Sequence, residues 1–167
     1  MAASDGLTGL HNRRHFDLAF DIEWRRARRE GRPIALVIAD VDQFKTYNDH
    51  YGHPAGDDCL KAIASVFRDC ALRPGDIAAR YGGEEFVMLM PSTNAEGAIL
   101  VAETLRQRVE QLGILHERST VSGHVTISAG VYSCIPVDGM SAQQALAETD
   151  RRLYQAKREG RNRIKFS

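Results

Sequence analysis

Apolar residues recur every three or four positions over much of the chain, which is the spacing of helices that bury one face. The first such segment covers positions 12–30, where Phe16, Phe20 and Trp24 share one face before Gly31. The same spacing predicts three further helices, over positions 59–72, 93–112 and 141–160. Residues at capping-box spacing open the last two helices: Thr93 with Glu96, and Ser141 with Gln144.

Continuous runs of apolar or β-branched residues predict buried strands between these helices. The runs cover positions 34–39, 77–81, 86–90 and 125–131, and a short closing strand is expected at 163–166. Gly82 and Gly83 separate the second run from the third, and glycines tolerate the positive φ angles of a tight hairpin. The order of elements predicts an α/β domain with a mixed central sheet flanked by helices.

The overall composition fits one globular domain. With 167 residues the chain can bury a core without disulfide or metal staples, so we expect a single domain over 1–167. The 22 basic and 22 acidic residues balance, which argues against a protein that grips long nucleic acid by its phosphates. The balanced charge still allows the binding of small anionic ligands, because such binding needs only a local basic cluster.

Cysteine use and hydropathy indicate a protein of a reducing compartment. Cys59, Cys70 and Cys134 are odd in number and form no CxxC pair, so neither a disulfide framework nor a zinc site is predicted. No apolar stretch is long enough to span a bilayer, and the opening MAASDGLTGL lacks the features of a signal peptide. We therefore expect a cytoplasmic domain that makes no membrane contact.

Carboxylates cluster where predicted strands end. Asp40 and Asp42 follow the run 34–39, and Glu84 and Glu85 begin the strand after the two glycines. Side chains from separate segments can converge at such ends, and carboxylate oxygens suit magnesium, which also binds phosphates. Spacing alone leaves a second interpretation open, in which these acids are simply solvated.

Four longer motifs stand in a fixed order along the chain. They are DGLTGLHNRR at 5–14, DVDQFK at 40–45 with NDHYGH at 48–53 and GD at 56–57, YGGEEF at 81–86, and YQAKREGRNR at 154–163. Together they resemble the diguanylate cyclase family named after its GGDEF signature, here in a variant with Glu as the third letter. The resemblance covers nearly the whole chain and implies a fold similar to the palm of polymerases and class III nucleotidyl cyclases.

The resemblance implies a site for two divalent metals. Asp40, the backbone carbonyl of Val41, and Glu84 or Glu85 would hold Mg²⁺, with Mn²⁺ as a substitute. Two metals can activate an attacking 3′-hydroxyl and neutralise charge on the phosphates. Glu84 and Glu85 are the implied catalytic residues, and Glu84 is the family's proton acceptor. Because a metal-bound carboxylate is a poor base, an electrostatic role for Glu84 stays open.

The resemblance also implies the nucleotide contacts. Asn48 and Asp57 would recognise guanine, since a carboxylate can accept from the ring N–H and the amine, which adenine does not offer together. Lys157 and Arg161, four apart on the predicted last helix, would share a face and bind phosphate, although an exposed basic helix end is the alternative. The implied substrate-binding set is Phe44, Lys45, Asn48, His53, Asp57, Gly82, Lys157 and Arg161.

Backbone groups are expected to do part of this work, because free N–H groups at the helix start of Phe44 and Lys45 can receive phosphate oxygens. None of the six histidines is assigned to catalysis.

An RxxD pattern, Arg73 with Asp76, precedes the signature and resembles the family's product-inhibition site, where the arginine binds cyclic di-GMP. A surface ion pair is the alternative. The position from which the family supplies another arginine is Thr104 here, with Arg106 and Arg108 nearby. We therefore expect product inhibition to be weaker or to use a different arginine.

The implied activity is the condensation of two GTP molecules into cyclic di-GMP with release of two pyrophosphates, across a homodimer in which each 3′-hydroxyl attacks the other α-phosphate. The alternative is a catalytically silent receptor for GTP or cyclic di-GMP, and the intact motif residues argue against it. Such catalytic domains usually follow a sensory or dimerising domain. We therefore expect the chain to be excised from a longer protein, whose N-terminal region would allow a membrane anchor.

Overall fold

The computed structural model describes residues 2–167, so Met1, part of the expected domain 1–167, lies outside the described residues. The strands are β1 Ile34–Val41, β2 Ile77–Gly82, β3 Glu85–Pro91, β4 Ile127–Cys134 and β5 Ile164–Lys165. They form a five-stranded sheet in the order β2-β3-β1-β4-β5. β1 is antiparallel to β3 and β4, β2 is antiparallel to β3, and β4 is parallel to β5. The predicted mixed sheet is confirmed.

Helices cover both faces of this sheet. They are α1 Arg13–Glu30, α2 Phe44–Tyr51, α3 His53–Cys70, α4 Ala95–Gln111 and α5 Ala142–Arg158. Because side chains alternate along a strand, β1 contributes Val37 to a core with α2, α3 and α4, and Leu36 to a core with α1 and α5. Every residue of β1 is buried, as its continuous apolar run predicts.

Several helix boundaries differ from the sequence prediction, and α3 begins at His53, six residues before the predicted 59–72. Asn94, not Thr93, caps α4, because the Asn94 Oδ1 accepts a hydrogen bond from the Gly97 N–H at 3.0 Å. The Thr93 side chain is buried and donates instead to the Pro91 carbonyl at 3.0 Å. The last predicted helix also ends earlier than expected, at Arg158. The capping box of Ser141 and Gln144 at the start of α5 is confirmed.

α5 lies very close to β4. An added Cβ at Gly130 of β4 would lie 2.1 Å from the Thr149 carbonyl oxygen and 2.5 Å from the Leu153 nitrogen. Only glycine therefore permits this approach, which sets the position of α5 over the end of β1. Within residues 2–167, no helix is long and apolar enough to cross a membrane.

Candidate active site

Carboxylates from two strands meet at one end of the central pair, β1 and β3. Asp40 stands opposite Glu85 in the register of the two strands. The Val41 N–H donates to the Glu84 carbonyl oxygen at 3.2 Å, so the backbone on either side of the two carboxylates is also paired. The antiparallel ladder thus fixes the positions of these acids relative to one another, which places Asp40, Val41, Glu84 and Glu85 in one site.

Asp40 is a buried carboxylate with a cationic partner. Its side chain accepts a hydrogen bond from the Lys157 Nζ on α5 at 2.8 Å, and the residue is 8% exposed. Burial raises the pKa of Asp40; the Lys157 ammonium opposes this rise, and the charges of Glu84 and Asp42 add to it. A carboxylate in this setting is stabilised by a further cation, because that cation offsets both burial and like-charge repulsion.

The donor set at this end of the sheet fits a divalent metal bound together with phosphates. Burial, followed by the charges of Asp40 and Asp150, raises the pKa of Glu85. No three His, Cys, Asp or Glu side chains among residues 2–167 are grouped so that they alone hold a metal. Mg²⁺ commonly binds one or two carboxylates and completes its shell with waters and substrate phosphates. The two carboxylates and the nearby backbone carbonyl fit that pattern.

Asp42 does not join this carboxylate site, although its sequence position beside Asp40 suggested convergence. It is 3% exposed and accepts hydrogen bonds from the Thr126 hydroxyl at 2.8 Å, the Ser128 hydroxyl at 2.6 Å and the Asn162 N–H at 3.0 Å. These donors occupy the carboxylate, so Asp42 is a structural residue that ties the end of β1 to β4 and to the segment after α5.

The signature hairpin is held at its tip by an arginine. Gly83 adopts a φ of +48°, and the β2–β3 register shifts between Arg80 and Gly82. The Arg80 Nε donates to the Gly83 carbonyl at 2.9 Å, and its Nη1 lies 3.3 Å from the Asp5 carboxylate. Asp5 also accepts hydrogen bonds from the N–H and the hydroxyl of Thr8, at 2.9 and 2.7 Å. One guanidinium therefore links the N-terminal turn to the hairpin.

Sequence reasoning missed this role of Arg80. Burial alone would raise the pKa of Asp5, but hydrogen bonds from Thr8 and the charge of Arg80 outweigh it and leave the pKa lowered. The spacing of Asp5 and Thr8 is a recognisable turn signal. The arginine that completes the arrangement lies 75 positions away, which no local pattern indicates.

α2 starts directly beside the carboxylates and presents its first N–H groups without a side-chain cap. Its N-cap residue, Gln43, has left-handed backbone angles of φ 51° and ψ 40° and makes no capping hydrogen bond with its side chain. The Gln43 carbonyl accepts a hydrogen bond from the Tyr47 N–H at 3.1 Å. The N–H groups of Phe44 and Lys45 belong to the first turn of the helix, where N–H groups have no acceptor within the helix. Phe44 is buried and Lys45 is exposed, so at Phe44 only the backbone is available to a ligand.

Asn48 on α2 carries a buried oxygen without a hydrogen-bond partner. Its Oδ1 lies over Gly56 of α3, where an added Cβ would be only 1.8 Å away. Asp57 follows Gly56 and is exposed, as is His53 at the start of α3. An unpaired buried acceptor in a native structure calls for an explanation, and a ligand donor is one.

The two cations near the end of the chain do not share a helix face as predicted. α5 ends at Arg158, and Arg161 follows Gly160 in a left-handed conformation with φ 64°. Lys157 is on the last turn of α5 and reaches Asp40, whereas Arg161 is on the loop beyond. The prediction failed because glycine marks a position beyond the end of a helix, not its last residue.

Arg73 and Asp76 lie at the opposite end of the sheet. The Asp76 carboxylate accepts the Arg73 N–H at 3.1 Å, and the Arg73 guanidinium donates to the Pro91 carbonyl at 3.2 Å and contacts the Thr93 hydroxyl. β3 separates Pro91 from Glu85 by its seven-residue length, roughly 20 Å. Arg73 and Asp76 line a groove of about 410 Å³ with Leu72 and Leu100 among its walls.

The two arginines near Thr104 differ in availability. Arg106 donates to the Glu103 carboxylate at 3.1 Å and to the Asn162 Oδ1 at 3.0 Å. Arg108 lines a groove of about 270 Å³ together with Thr104. Arg108 is therefore the arginine placed on the same side as Thr104.

A mixed sheet with carboxylates at the end of its central strands and an uncapped helix start beside them defines a palm-type domain suited to nucleotide phosphates. The chain belongs to the diguanylate cyclase GGDEF domain family. The model of that family, described as "Diguanylate cyclase, GGDEF domain", matches residues 2–163. It is 39% identical over 166 residues to the response regulator PleD of Caulobacter vibrioides, across 98% of this chain and 36% of PleD. The chain thus spans about a third of the length of this curated relative.

Solved structures agree with this assignment and confirm the fold class. The GGDEF domain of DgcB from Caulobacter crescentus, in complex with c-di-GMP, is similar with a TM-score of 0.90 and 38% identity, over 99% of this chain and 93% of that one. The active GGEEF domain of a diguanylate cyclase from Vibrio cholerae is similar with a TM-score of 0.81 and 33% identity, over 94% of this chain and 97% of that one.

Proposed function

We propose that this chain is the catalytic domain of a diguanylate cyclase, which condenses two GTP molecules into cyclic di-GMP and releases two pyrophosphates. The observation that carries the proposal is the pairing of Asp40 with Glu85 beside the uncapped start of α2. The Vibrio cholerae domain described as active and GGEEF supports turnover with this variant of the signature. The chain covers only 36% of PleD, which is in keeping with one catalytic domain inside a longer protein. A sensory or dimerising part, and a cytoplasmic or membrane-anchored setting, belong to the proposal.

The carboxylate end of the sheet is the proposed metal site. Asp40, the Val41 carbonyl and Glu84 or Glu85 would hold Mg²⁺, or Mn²⁺ in its place. Bound there, the metal supplies activation of the 3′-hydroxyl and stabilisation of charge on the α-phosphate and the departing pyrophosphate. Lys157 lies 2.8 Å from Asp40 and so adds a fixed positive charge at the position where phosphate oxygens would be. Glu84 acts as proton acceptor or through its charge.

The surroundings of α2 are the proposed nucleotide site. The Asn48 Oδ1, buried without a partner, and the exposed Asp57 carboxylate would accept hydrogen bonds from guanine. The first-turn N–H groups of Phe44 and Lys45 would donate to phosphate oxygens. The remaining proposed contacts are His53 at the start of α3, Gly82 at the hairpin, and Lys157 and Arg161 on the phosphates.

The proposed reaction needs two copies of this site. Each product molecule contains two equivalent nucleotides, so two subunits with one GTP each would face one another about a twofold axis. The 3′-hydroxyl of each GTP would then attack the α-phosphate held by the partner. Cyclic di-GMP would also bind at Arg73 and Asp76 as an inhibitor.

The test is incubation of the purified chain at high concentration with GTP and Mg²⁺, followed by chromatography for cyclic di-GMP. We expect product from GTP and none from an ATP control. If the chain binds GTP and is dimerised through a fused coiled coil, yet forms no product, the catalytic proposal is wrong and the receptor alternative takes its place.

A further inference from the structure

A loop outside the four motifs lies against the start of α2. We call residues 114–125 the 114–125 loop. It is closed on itself by hydrogen bonds from the Val125 N–H to the Ile114 carbonyl at 2.8 Å and from the His116 N–H to the Gly123 carbonyl at 2.9 Å. These bonds make the loop a hairpin-like unit with a defined shape, able to hold a neighbouring segment in place.

The 114–125 loop grips Gln43, the residue between the buried Asp42 and the first turn of α2. The Gln43 Nε2 donates to the Thr120 hydroxyl at 2.8 Å, and the Thr120 N–H donates to the Gln43 Oε1 at 2.8 Å. The His116 Nε2 lies 3.1 Å from the Gln43 carbonyl oxygen. A carbonyl can only accept, so the His116 Nε2 carries the proton and donates. Both the side chain and the backbone of Gln43 are therefore held.

His116 is built into the core beneath α2. It is 1% exposed, and its ring packs edge-on against Tyr47 at 5.2 Å between centroids and against Tyr51 at 6.4 Å. The Tyr51 hydroxyl in turn accepts the Glu117 N–H at 2.9 Å. The loop thus contacts α2 at both ends, and the histidine has a fixed orientation toward Gln43.

The backbone of Gln43 explains why such a grip is needed. At φ 51° it is one of the few non-glycine residues in left-handed conformation among residues 2–167, and that conformation is unfavourable for a residue with a side chain. Without its partners the turn from β1 to α2 would relax toward more favourable angles. The N–H groups of Phe44 and Lys45 and the side chain of Asn48 would then change direction, because all three are on the helix that this turn starts.

We infer that Gln43 is a positioning residue for the nucleotide, locked in place by Thr120 and His116, so that the start of α2 is aimed before the ligand arrives. The inference rests on the proposed function, because α2 is the proposed nucleotide site. It assigns to the 114–125 loop a part in GTP affinity that acts through Gln43.

The test measures binding of 3′-deoxy-GTP with Mg²⁺ by calorimetry, since that nucleotide lacks the attacking hydroxyl and is not consumed. Gln43→Ala should raise the Kd about tenfold, in keeping with the loss of about 1–1.5 kcal/mol of hydrogen bonding. Thr120→Val should raise the Kd about threefold, and Thr120→Ser, which keeps the hydroxyl, should restore the wild-type value. Gln143→Ala, at an exposed position on α5, is the matched control and should change nothing.

The double variant Gln43→Ala, Thr120→Val shows whether the two substitutions remove the same interaction or act independently on the Kd. If the pair acts as a unit, its Kd will equal that of Gln43→Ala alone. An unchanged Kd in Gln43→Ala, with a wild-type chain that binds and turns over GTP, overturns the inference and leaves the proposed function intact. If Gln43→Ala raises the Kd but the wild-type chain forms no product, the inference stands and the proposed function is wrong. If the wild-type chain binds no nucleotide, both are wrong.

Discussion

At the scale of single residues, the surroundings of each carboxylate decide what it can do. Asp42 is buried and has three donors on its two oxygens, so most of its acceptor capacity is already used. Asp40, two positions earlier, has one ammonium partner and faces Glu85. The two aspartates are alike in sequence and in burial, so their hydrogen-bond partners alone make one structural and leave the other open to a cation.

Glu85→Gln tests the proposed metal site. We expect product formation to fall at least about a hundredfold, since the variant loses a charge that acts in a site of low dielectric. Burial and the charges of Asp40 and Asp150 raise the pKa of Glu85 in the folded chain. Its ionised form therefore opposes folding, and in metal-free solution stability declines as pH rises from the ordinary 4.5 through the raised value. Glutamine removes that decline.

The measurements are chromatography for product and urea unfolding from pH 4 to 8 in the presence of a chelator. At neutral pH the Glu85→Gln variant should unfold at a urea concentration no lower than the wild type. Glu96→Gln, at an exposed position in the first turn of α4, is the control and should keep full turnover. Normal product formation by Glu85→Gln would show that the proposed metal site is wrong.

At the scale of elements, the β2–β3 hairpin is anchored from outside its own strands. Asp5→Asn should weaken the hold of Arg80 on the Gly83 carbonyl, lowering turnover several-fold and stability by about 1 kcal/mol at pH 7. The pKa of Asp5 is lowered in the folded chain, so its contribution is present above the unfolded value near 3.8 and is lost as pH falls through the folded one. The difference from wild type should therefore vanish in acid.

Urea unfolding at several pH values measures this effect. Asp21→Asn is the control, because Asp21 pairs with Arg25 on the exposed surface of α1 and such pairs contribute little. Equal losses in both variants, or a difference that persists in acid, would show that the Asp5 contact has no special part in anchoring the hairpin.

The contact between α5 and β4 gives a second prediction at this scale. Gly130→Ala would place a methyl group 2.1 Å from a backbone oxygen of α5, so the helix must move away. We expect a loss of at least about 2 kcal/mol in unfolding free energy, as for an overpacked core, and a weaker grip of Lys157 on the site. Urea unfolding measures this loss. Gly6→Ala, where an added Cβ meets nothing within 4 Å, should be close to neutral in the same experiment.

At the scale of the whole molecule, the sheet separates the two proposed ligand regions. Asp40 and Glu85 lie at one end of the central strands, and the groove of Arg73 and Asp76 lies at the other. Roughly 20 Å of β3 lies between them, so product bound at the groove cannot contact the carboxylates of the same chain. Inhibition from the groove would therefore act across that distance and not by direct contact with the carboxylates.

Arg73→Ala tests the groove. We expect the Kd of cyclic di-GMP to rise at least tenfold and inhibition by added product to be relieved, because the guanidinium supplies charge-assisted hydrogen bonds to phosphate. Calorimetry with cyclic di-GMP measures the first effect, and initial rates with added product measure the second. Arg151→Ala, on the exposed face of α5, should leave both unchanged. Unaltered affinity in Arg73→Ala would mean that the RxxD pattern is only a surface pair.

Much of the fold could be predicted because helices and strands depend on near neighbours in the chain. The apolar runs placed β1 and the hairpin, and the capping box placed the start of α5. The apolar spacing did not predict α2, although a helix start was expected at Phe44 and Lys45. The eight residues of α2 lie in a polar stretch, and only Gly52 separates it from α3. The start of α4 was misplaced because Thr93 satisfies a capping pattern but is used in a tertiary contact.

The sequence by itself determined the α/β class and the hairpin, because these follow from local periodicity. The convergence of Asp40 with Glu84 and Glu85 was implied by the resemblance to the GGDEF family, since spacing alone left solvated acids as an alternative. Tertiary structure alone decided which aspartate is saturated, which arginine holds the hairpin, and how Gln43 is locked. Each of those outcomes depends on a partner dozens of positions away, as between Gln43 and Thr120, 77 positions apart. Such pairs form only when the packed sheet and helices bring distant segments together, and no local pattern encodes them.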